Sequence, residues 1–315
     1  MRLAIKKNYD PRNTIILTGV PRSGTTWIGE ILNTLPNSAM LFEPLHLGRV
    51  PEADQAGFSW TTFLEPECDD PLKIEFMRTI LTGKLINRWL ARDLTLKDCR
   101  GMKTLIVKFV RAHMLIEWIV QHFPIRRPIY VIRHPCAVIA SMLRLEWRNF
   151  TDKASVMGEP MLKKFPELKV LVEDLDTVEE FLAAKWCLSN YYALTRPYPR
   201  NFELIIYERM VSQRETEFQR LFKAVGYPIP DEAFSRLKSP SVTTHFGDPW
   251  KGKGPLHGWT KILNKEQTHR ILNVVKAFGM DFYTEALEPD YDRLLSKTPL
   301  FKHLPKKTEN AIHLV

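Results

Sequence analysis

A short polar turn holds the first side chains in this sequence that could bind an anion. Gly19 and Gly24 bound the turn at the spacing of the nucleoside-triphosphate loop, but Thr25 and Thr26 stand where that loop has its Lys-Ser/Thr pair. The positive charge is instead Arg22, whose planar guanidinium can donate two parallel hydrogen bonds to phosphate or sulfonate oxygens. The turn is therefore interpreted either as a phosphate-binding loop or as an ordinary strand-to-helix connection.

The elements on either side place this turn at the start of a helix. Residues 15–17 form an apolar run typical of a buried strand, and apolar side chains from Trp27 to Leu35 repeat with helical spacing. Backbone N–H groups at a helix N-terminus have no intrahelical partner, and the helix dipole adds positive charge there. Ser23 adds a hydroxyl donor, so the local chemistry suits an anion.

Two further charged residues stand where predicted strands end. Glu43 follows the apolar run 39–42, and Lys108 lies near the end of the run 103–109. In open parallel sheets, ligands bind beyond the carboxyl ends of the strands, so both residues are expected near the turn. Glu43 is interpreted either as a general base or as a solvated loop carboxylate, and Lys108 either as a site residue or as a solvated lysine.

A second candidate anion site follows the run 128–132. Arg133 stands at the tip of this predicted strand, and Ser141 lies two turns into the helix that comes next. Together they could bind a second phosphate group. The alternative is a surface arginine and an ordinary helical serine.

The elements that must position these residues alternate along the chain. Strand-like runs recur at 39–42, 103–109, 128–132 and 202–207, and helical patterns at 71–96, 114–123, 137–143, 177–195 and 262–280. This pattern predicts an α/β fold with a central parallel sheet flanked by helices. The length of 315 residues fits one large α/β domain or two small ones.

The overall charge favours anionic partners. Forty-five Lys and Arg against 36 Asp and Glu give a net charge of +9. No Arg-Gly or Ser-Arg tract is present, so nucleic acid is not the expected partner. A glycine-rich cationic segment near residue 250, which contains Lys251, Gly252 and Lys253, is also suited to an anion.

The sequence predicts a cytoplasmic protein without a membrane span. No stretch approaches the roughly 18 uncharged apolar residues that a spanning helix requires. The first residues also lack the apolar core of a signal peptide.

Taken together, these motifs resemble the sulfotransferases that use 3′-phosphoadenosine 5′-phosphosulfate (PAPS). Residues 21–27 (PRSGTTW) resemble the 5′-phosphosulfate loop of the family, and residues 130–141 (YVIRHPCAVIAS) resemble its 3′-phosphate strand, loop and helix. Residues 206–211 (IYERMV) are similar to the Tyr-Glu-Asp-Leu segment of the family, with Arg209 in place of Asp. The resemblance implies a single P-loop-like domain over 1–315, with acceptor-site insertions at 45–100 and 148–175 and a tail at 296–315.

The resemblance also assigns the residues that bind PAPS and its product, 3′-phosphoadenosine 5′-phosphate (PAP). It places Arg133 and Ser141 at the 3′-phosphate, and Trp27 and Tyr207 at the adenine. The C-terminal segment with Lys251, Gly252 and Lys253 resembles the family only loosely, so which lysine meets the 3′-phosphate stays open. The 5′-phosphosulfate is assigned to Arg22, Ser23, Gly24, Thr25 and Thr26.

The expected catalytic base differs from the histidine that the small-molecule members of the family use. Their histidine would stand two residues after the strand lysine, but Phe109 and Val110 follow Lys108 here. Carbohydrate-modifying and bacterial members resemble this chain in having Phe-Glu-Pro after the second strand, so Glu43 is the preferred base and His46 the reserve.

The resemblance implies a metal-independent transfer of sulfonate to an alcohol. Glu43 would take the proton of the acceptor hydroxyl during in-line attack on sulfur, while Arg22 and Lys108 stabilise the leaving phosphate oxygen. The expected acceptor is a glycan or another small-molecule alcohol. A nucleotide kinase and a non-catalytic anion-binding module remain as alternatives.

Overall fold

A computed structural model describes residues 9–92, 94, 101–146, 152–196, 199–239 and 255–296 of the chain. The chain forms two compact units. The first unit comprises residues 1–133 and 200–258, and the second comprises residues 134–199 and 259–315. The domain boundaries expected from the sequence stay a prediction.

The first unit is built on a five-stranded sheet in which all paired strands are parallel. The strands stand in the order β2-β3-β1-β4-β5, which puts the strand before the polar turn at the centre. This confirms the predicted α/β fold with a central parallel sheet flanked by helices. The strands are β1 (Thr14–Gly19), β2 (Ser38–Phe42), β3 (Thr104–Lys108), β4 (Ile129–Ile132) and β5 (Glu203–Ile206).

Both faces of this sheet are buried, which explains why its strands are apolar runs rather than alternating ones. Successive side chains point to opposite faces, so Ile16 packs in one core and Ile15 and Leu17 in the other. The helices of the first unit are α1 (Thr25–Leu32), α2 (Pro51–Gln55), α3 (Pro71–Leu81), α4 (Ile116–His122), α9 (Tyr207–Ser212), α10 (Arg214–Val225) and α11 (Asp231–Leu237), with a 3-10 turn at Pro11–Asn13.

The pattern over 71–96 predicts one long or broken helix, and the residues described in this range are helical only as far as Leu81. The structure ends α3 at Leu81 because Gly83 adopts the left-handed backbone conformation, with φ of 63°. Turns follow as far as residue 92. The expected insertion at 45–100 contains the short helix α2 as well as α3.

In the second unit, the long helix α8 packs against α5 and α12. A capping box between Thr177 and Glu180 begins α8, as its side-chain and backbone hydrogen bonds show. The predicted insertion at 148–175 contains α6 and α7, which pack on α8, in its described part. The elements of this unit are α5 (Pro135–Arg144), α6 (Lys153–Met157), α7 (Pro160–Lys164), a 3-10 helix (Pro166–Leu171), α8 (Val178–Thr195), α12 (Lys265–Ala277) and α13 (Tyr291–Leu295). A further 3-10 helix covers Pro255–Lys261.

His134 fixes the start of α5. Its Nδ1 accepts a hydrogen bond from the backbone N–H of Cys136 (3.2 Å), and its Nε2 lies 2.9 Å from the carbonyl oxygen of Thr284. The ring stacks on Trp259 with 5.0 Å between centroids. A ring nitrogen that accepts and one that donates define the neutral tautomer, so His134 acts as an uncharged helix cap.

Glu159 should make the stability of the protein depend on pH. It is 4% exposed, and burial raises its pKa to about 7 although Lys185 lies 3.6 Å away. Between its ordinary pKa of 4.5 and about 7 the native state binds more protons than the unfolded chain, so the free energy of unfolding falls as pH rises through this window. Between about pH 5 and pH 8, we expect the free energy of unfolding of the wild type to fall by up to about 3 kcal/mol more than that of Glu159→Gln.

Denaturant unfolding at the two pH values measures this difference. Exposed Glu167→Gln is the matched control, and it should leave the pH dependence of the wild type in place. The same pH dependence in wild type and Glu159→Gln would contradict the assignment.

None of the helices in the described part of the chain has the length and apolarity needed to cross a membrane.

Candidate active site

The carboxyl ends of the five strands bring the predicted site residues to one edge of the sheet. The register pairs Phe42 with Lys108 and Ile132 with Ile206, so the residues that follow neighbouring strands begin at the same level. Arg22 lies in the turn after β1, Glu43 follows β2, Lys108 ends β3, Arg133 follows β4 and Tyr207 follows β5. The structure therefore gathers residues that are 185 positions apart in the sequence, from 22 to 207.

The turn before α1 has the backbone geometry of an anion-binding loop. Gly24 begins the helix in the left-handed conformation, with φ of 93° and no side-chain cap. The Oγ of Ser23 is buried and has no hydrogen-bond partner within the described residues. Since an unpaired buried hydroxyl is costly, this atom indicates a donor that a bound anion would satisfy.

Substituting Gly24 by alanine should destabilise the first unit. A Cβ at this position would stand 2.5 Å from Cδ2 of Tyr207, and φ of 93° disfavours any side chain. We expect the free energy of unfolding to fall by about 1–3 kcal/mol in a denaturant titration. Gly258→Ala is the control because a Cβ there meets no atom within 4 Å. Equal effects of the two substitutions would contradict this account.

Tyr207 joins the turn to Arg133. The guanidinium carbon of Arg133 lies 4.1 Å from the centroid of the Tyr207 ring, and Arg133 Nη1 donates to the carbonyl oxygen of Arg22 at 3.1 Å. Trp27 packs edge-on against Tyr207 with 5.7 Å between centroids and is 4% exposed. The predicted adenine contacts of Trp27 and Tyr207 stay predictions, and in the structure both rings support the turn.

Glu43 and Lys108 form a buried ion pair. Nζ of Lys108 lies 2.7 Å from Oε1 of Glu43, and the lysine side chain is 1% exposed. Burial lowers the pKa of Lys108, while the carboxylate of Glu43 opposes this shift. Nζ also lies 3.8 Å from the centroid of the Phe42 ring, a cation–π contact that the desolvated site strengthens. The predicted nearness of Glu43 and Lys108 is thus observed, and their roles in the reaction stay predictions.

Two of these residues hold a strained backbone. Among described residues other than glycine, a positive φ occurs at Asn37 and Glu146 and at two predicted catalytic residues, Arg22 (73°) and Glu43 (47°). Such conformations cost on the order of 1–3 kcal/mol and cluster at functional sites. Burial and the nearby charge of Arg133 also lower the pKa of Arg22.

His46, the reserve base, lies between two aromatic rings. Its centroid is 4.9 Å from that of Trp89 and 5.3 Å from that of Trp60. Burial lowers the pKa of His46, and the nearby charge of Arg111 lowers it further. The imidazole is therefore neutral at neutral pH.

Sequence reasoning missed Arg111. Its Nη1 lies 3.9 Å from Oε2 of Glu43, and its guanidinium carbon lies 4.5 Å from the centroid of the Trp60 ring. The only signal in the sequence is that Arg111 follows the strand residue Lys108 by three positions.

Arg209, the departure from the family segment, has a structural partner. Its Nε lies 3.0 Å from Oε1 of the fully buried Glu217, which also pairs with Arg220 at 2.8 Å. A buried carboxylate needs such partners, so Arg209 supports the helices after β5.

The structure leaves the other predicted residues untested. Ser141 lies in α5 of the second unit, and its assignment to the 3′-phosphate stays a prediction. Lys251, Gly252 and Lys253 lie outside the described residues.

Comparisons with known proteins agree with the resemblance seen in the sequence. A sequence profile described as "Sulfotransferase family" matches residues 14–231. The nodulation protein NoeE of Sinorhizobium fredii is 25% identical over 247 residues, which are 74% of this chain and 55% of NoeE. The chain thus spans about half the length of this curated relative.

Solved structures of sulfotransferases are also similar. The sulfotransferase domain of the Synechococcus PCC 7002 olefin synthase matches 87% of this chain and 97% of its own, with 19% identity and a TM-score of 0.44. Mouse sulfotransferase SULT7A1, solved with PAP, matches 86% of each chain, with 14% identity and a TM-score of 0.46.

Proposed function

This chain belongs to the sulfotransferase family, and from that premise we propose that it transfers a sulfonate group from PAPS to a hydroxyl of a small-molecule or glycan acceptor. The observation that carries the proposal is the grouping of Arg22, Lys108 and Arg133 around the turn before α1. Arg22 influences the pKa of Lys108, and Arg133 influences that of Arg22, so the three cations share one electrostatic environment. Such a group suits a ligand with two separate anionic ends.

The residues of the turn fit the phosphosulfate end of PAPS. The unpaired Oγ of Ser23 offers a donor for oxygens, and Gly24 lets the turn pack directly against the Tyr207 ring. Thr25 and Thr26 begin α1, where backbone N–H groups are free of intrahelical bonds. We assign this end to the turn with Arg22, and the 3′-phosphate to Arg133.

The chain supplies a base and positive charge for the reaction. When bound, PAPS provides the sulfonate group and departs as PAP. Glu43 accepts the proton of the acceptor hydroxyl, and Lys108 and Arg111 lie beside its two carboxylate oxygens. Lys108 and Arg22 place positive charge where negative charge develops on the departing phosphate.

Calorimetric titration with PAP, ADP and ATP with Mg²⁺ tests the donor. We expect micromolar binding of PAP and much weaker binding of ADP, because ADP lacks the 3′-phosphate. Equal binding of PAP and ADP would contradict the assignment of Arg133, and a preference for ATP with Mg²⁺ would favour a nucleotide kinase. PAP release in the presence of a panel of alcohols then identifies the acceptor, and salt-sensitive binding of sulfated polymers without turnover would favour an anion-binding module.

A further inference from the structure

Further arginines lie close to the site. Beyond the three cations assigned to PAPS, Arg111 stacks on Trp60 at 4.5 Å, measured from its guanidinium carbon to the ring centroid. Arg49 lies 5.6 Å from the centroid of Trp89. Glu43 is the one charged group that shifts the pKa of Arg111 within the described part of the chain. Glu43 therefore has a positive charge beside each of its oxygens, Lys108 at Oε1 and Arg111 at Oε2.

Arg111 has donors that the protein does not use. Its Nη1 is buried and makes no hydrogen bond in the described structure, and the 3.9 Å to Oε2 of Glu43 is too long for one. The Trp60 ring covers one face of the guanidinium, which leaves the N–H groups in its plane to a ligand. An unpaired buried donor costs free energy that an oxygen acceptor recovers.

The position of Arg111 relative to Glu43 indicates which ligand it meets. Lys108, assigned to the donor, contacts Oε1 of Glu43, whereas Arg111 approaches the other oxygen, Oε2. With Oε1 hydrogen-bonded to Lys108, Oε2 is the oxygen left to take the acceptor proton, and Arg111 is the side chain beside it. Trp60, which is 36% exposed, offers an aromatic surface at the same place.

We propose that the acceptor carries an oxyanion, such as a carboxylate, and that Arg111 binds it beside the reacting hydroxyl. This inference rests on the proposed sulfonate transfer and adds the class of acceptor, a sugar acid or a hydroxy-aromatic acid. Arg111 then determines acceptor specificity, and it forms charge-assisted hydrogen bonds to the oxyanion while its guanidinium stays stacked on Trp60.

Two matched pairs of probes test this proposal by calorimetry on protein saturated with PAP. The sugar pair is para-nitrophenyl β-D-glucuronide and para-nitrophenyl β-D-glucoside, and the aromatic pair is para-hydroxybenzoate and para-hydroxybenzyl alcohol. In at least one pair we expect the acid to bind about tenfold or more tightly than its neutral partner, as a charge-assisted hydrogen bond provides. The pair that shows the preference identifies the source of the oxyanion.

Variants assign the preference to Arg111. Arg111→Gln should abolish it, and Arg111→Lys, which keeps the charge but loses the planar fork, should retain part of it. Arg78→Gln removes one positive charge from a half-exposed side chain in α3, and this control variant should keep the full preference for the acid. The proposal is overturned if no acid is preferred by the wild type, or if the preference survives Arg111→Gln.

Titration with PAP in the same samples separates this proposal from the function on which it rests. Tight PAP binding without a preference for acids would overturn the acceptor class alone. Absence of PAP binding would overturn the proposed function itself.

Discussion

Replacing Glu43 by glutamine is expected to lower kcat for sulfonate transfer by about 10²–10⁴-fold and to leave the Kd for PAP almost unchanged. Glutamine keeps the shape of the side chain and an oxygen that can accept the hydrogen bond from Lys108 Nζ. It cannot accept the proton of an acceptor hydroxyl. PAP formation with any acceptor that the wild type uses, measured beside calorimetric PAP binding, separates the two effects.

Glu67→Gln, an equivalent change at an exposed position, should leave both quantities unchanged. If Glu43→Gln keeps the kcat of the wild type, Glu43 is not the base, and His46 becomes the residue to change next. An equal loss of PAP affinity and kcat would instead assign Glu43 to the support of Lys108, which is 1% exposed and needs a counter-charge.

The second large effect is expected for Arg133→Ala, in which PAP binding should weaken by about 10–100-fold. The guanidinium would otherwise make charge-assisted hydrogen bonds to the 3′-phosphate. ADP, which has no 3′-phosphate, should bind the variant about as weakly as it binds the wild type. Calorimetry with both nucleotides measures the difference.

This comparison also tests a purely structural role. Arg133 Nη1 donates to the carbonyl oxygen of Arg22, so its removal could loosen the turn. A loosened turn would weaken the binding of ADP and of PAP by the same factor, whereas loss of a 3′-phosphate contact would weaken the binding of PAP alone. Arg78→Ala in α3 is the control for removing an arginine, and an unchanged Kd for PAP in Arg133→Ala would refute the assignment.

The parallel sheet and the meeting of Glu43 with Lys108 could be predicted because both depend on local sequence patterns. Apolar runs mark buried strands, and a charged residue at the carboxyl end of one parallel strand must lie near the corresponding residue of its neighbour. The register of Phe42 with Lys108 then puts the side chain of the next residue, Glu43, within 2.7 Å of the lysine.

Arg111 and the end of α3 could not be predicted from the same patterns. The contact of Arg111 with Trp60 joins a segment after β3 to a segment before α3, and no periodicity reports such a pairing. The pattern over 71–96 left open one long or broken helix because its apolar spacing continues past Gly83, whereas the backbone conformation of that glycine ends α3. Tertiary packing determines the contact of Arg111 with Trp60, and the backbone angle of one glycine determines where α3 ends.

If the turn and Arg133 bind the two ends of the nucleotide as proposed, the position of Tyr207 between them should make the two binding events cooperative. One ring contacts both the Gly24 end of the turn and the guanidinium of Arg133, and one hydrogen bond joins Arg133 to Arg22. Under that assignment, order gained at one anionic end would be transmitted to the other, and a nucleotide with a single phosphate cluster would lose this coupling free energy as well as the missing contacts. In a double-mutant cycle on PAP affinity, changes at Arg22 and Arg133 should therefore be non-additive. Under the proposed assignment, discrimination between nucleotides would depend on the rigidity of the sheet edge as much as on any one cation.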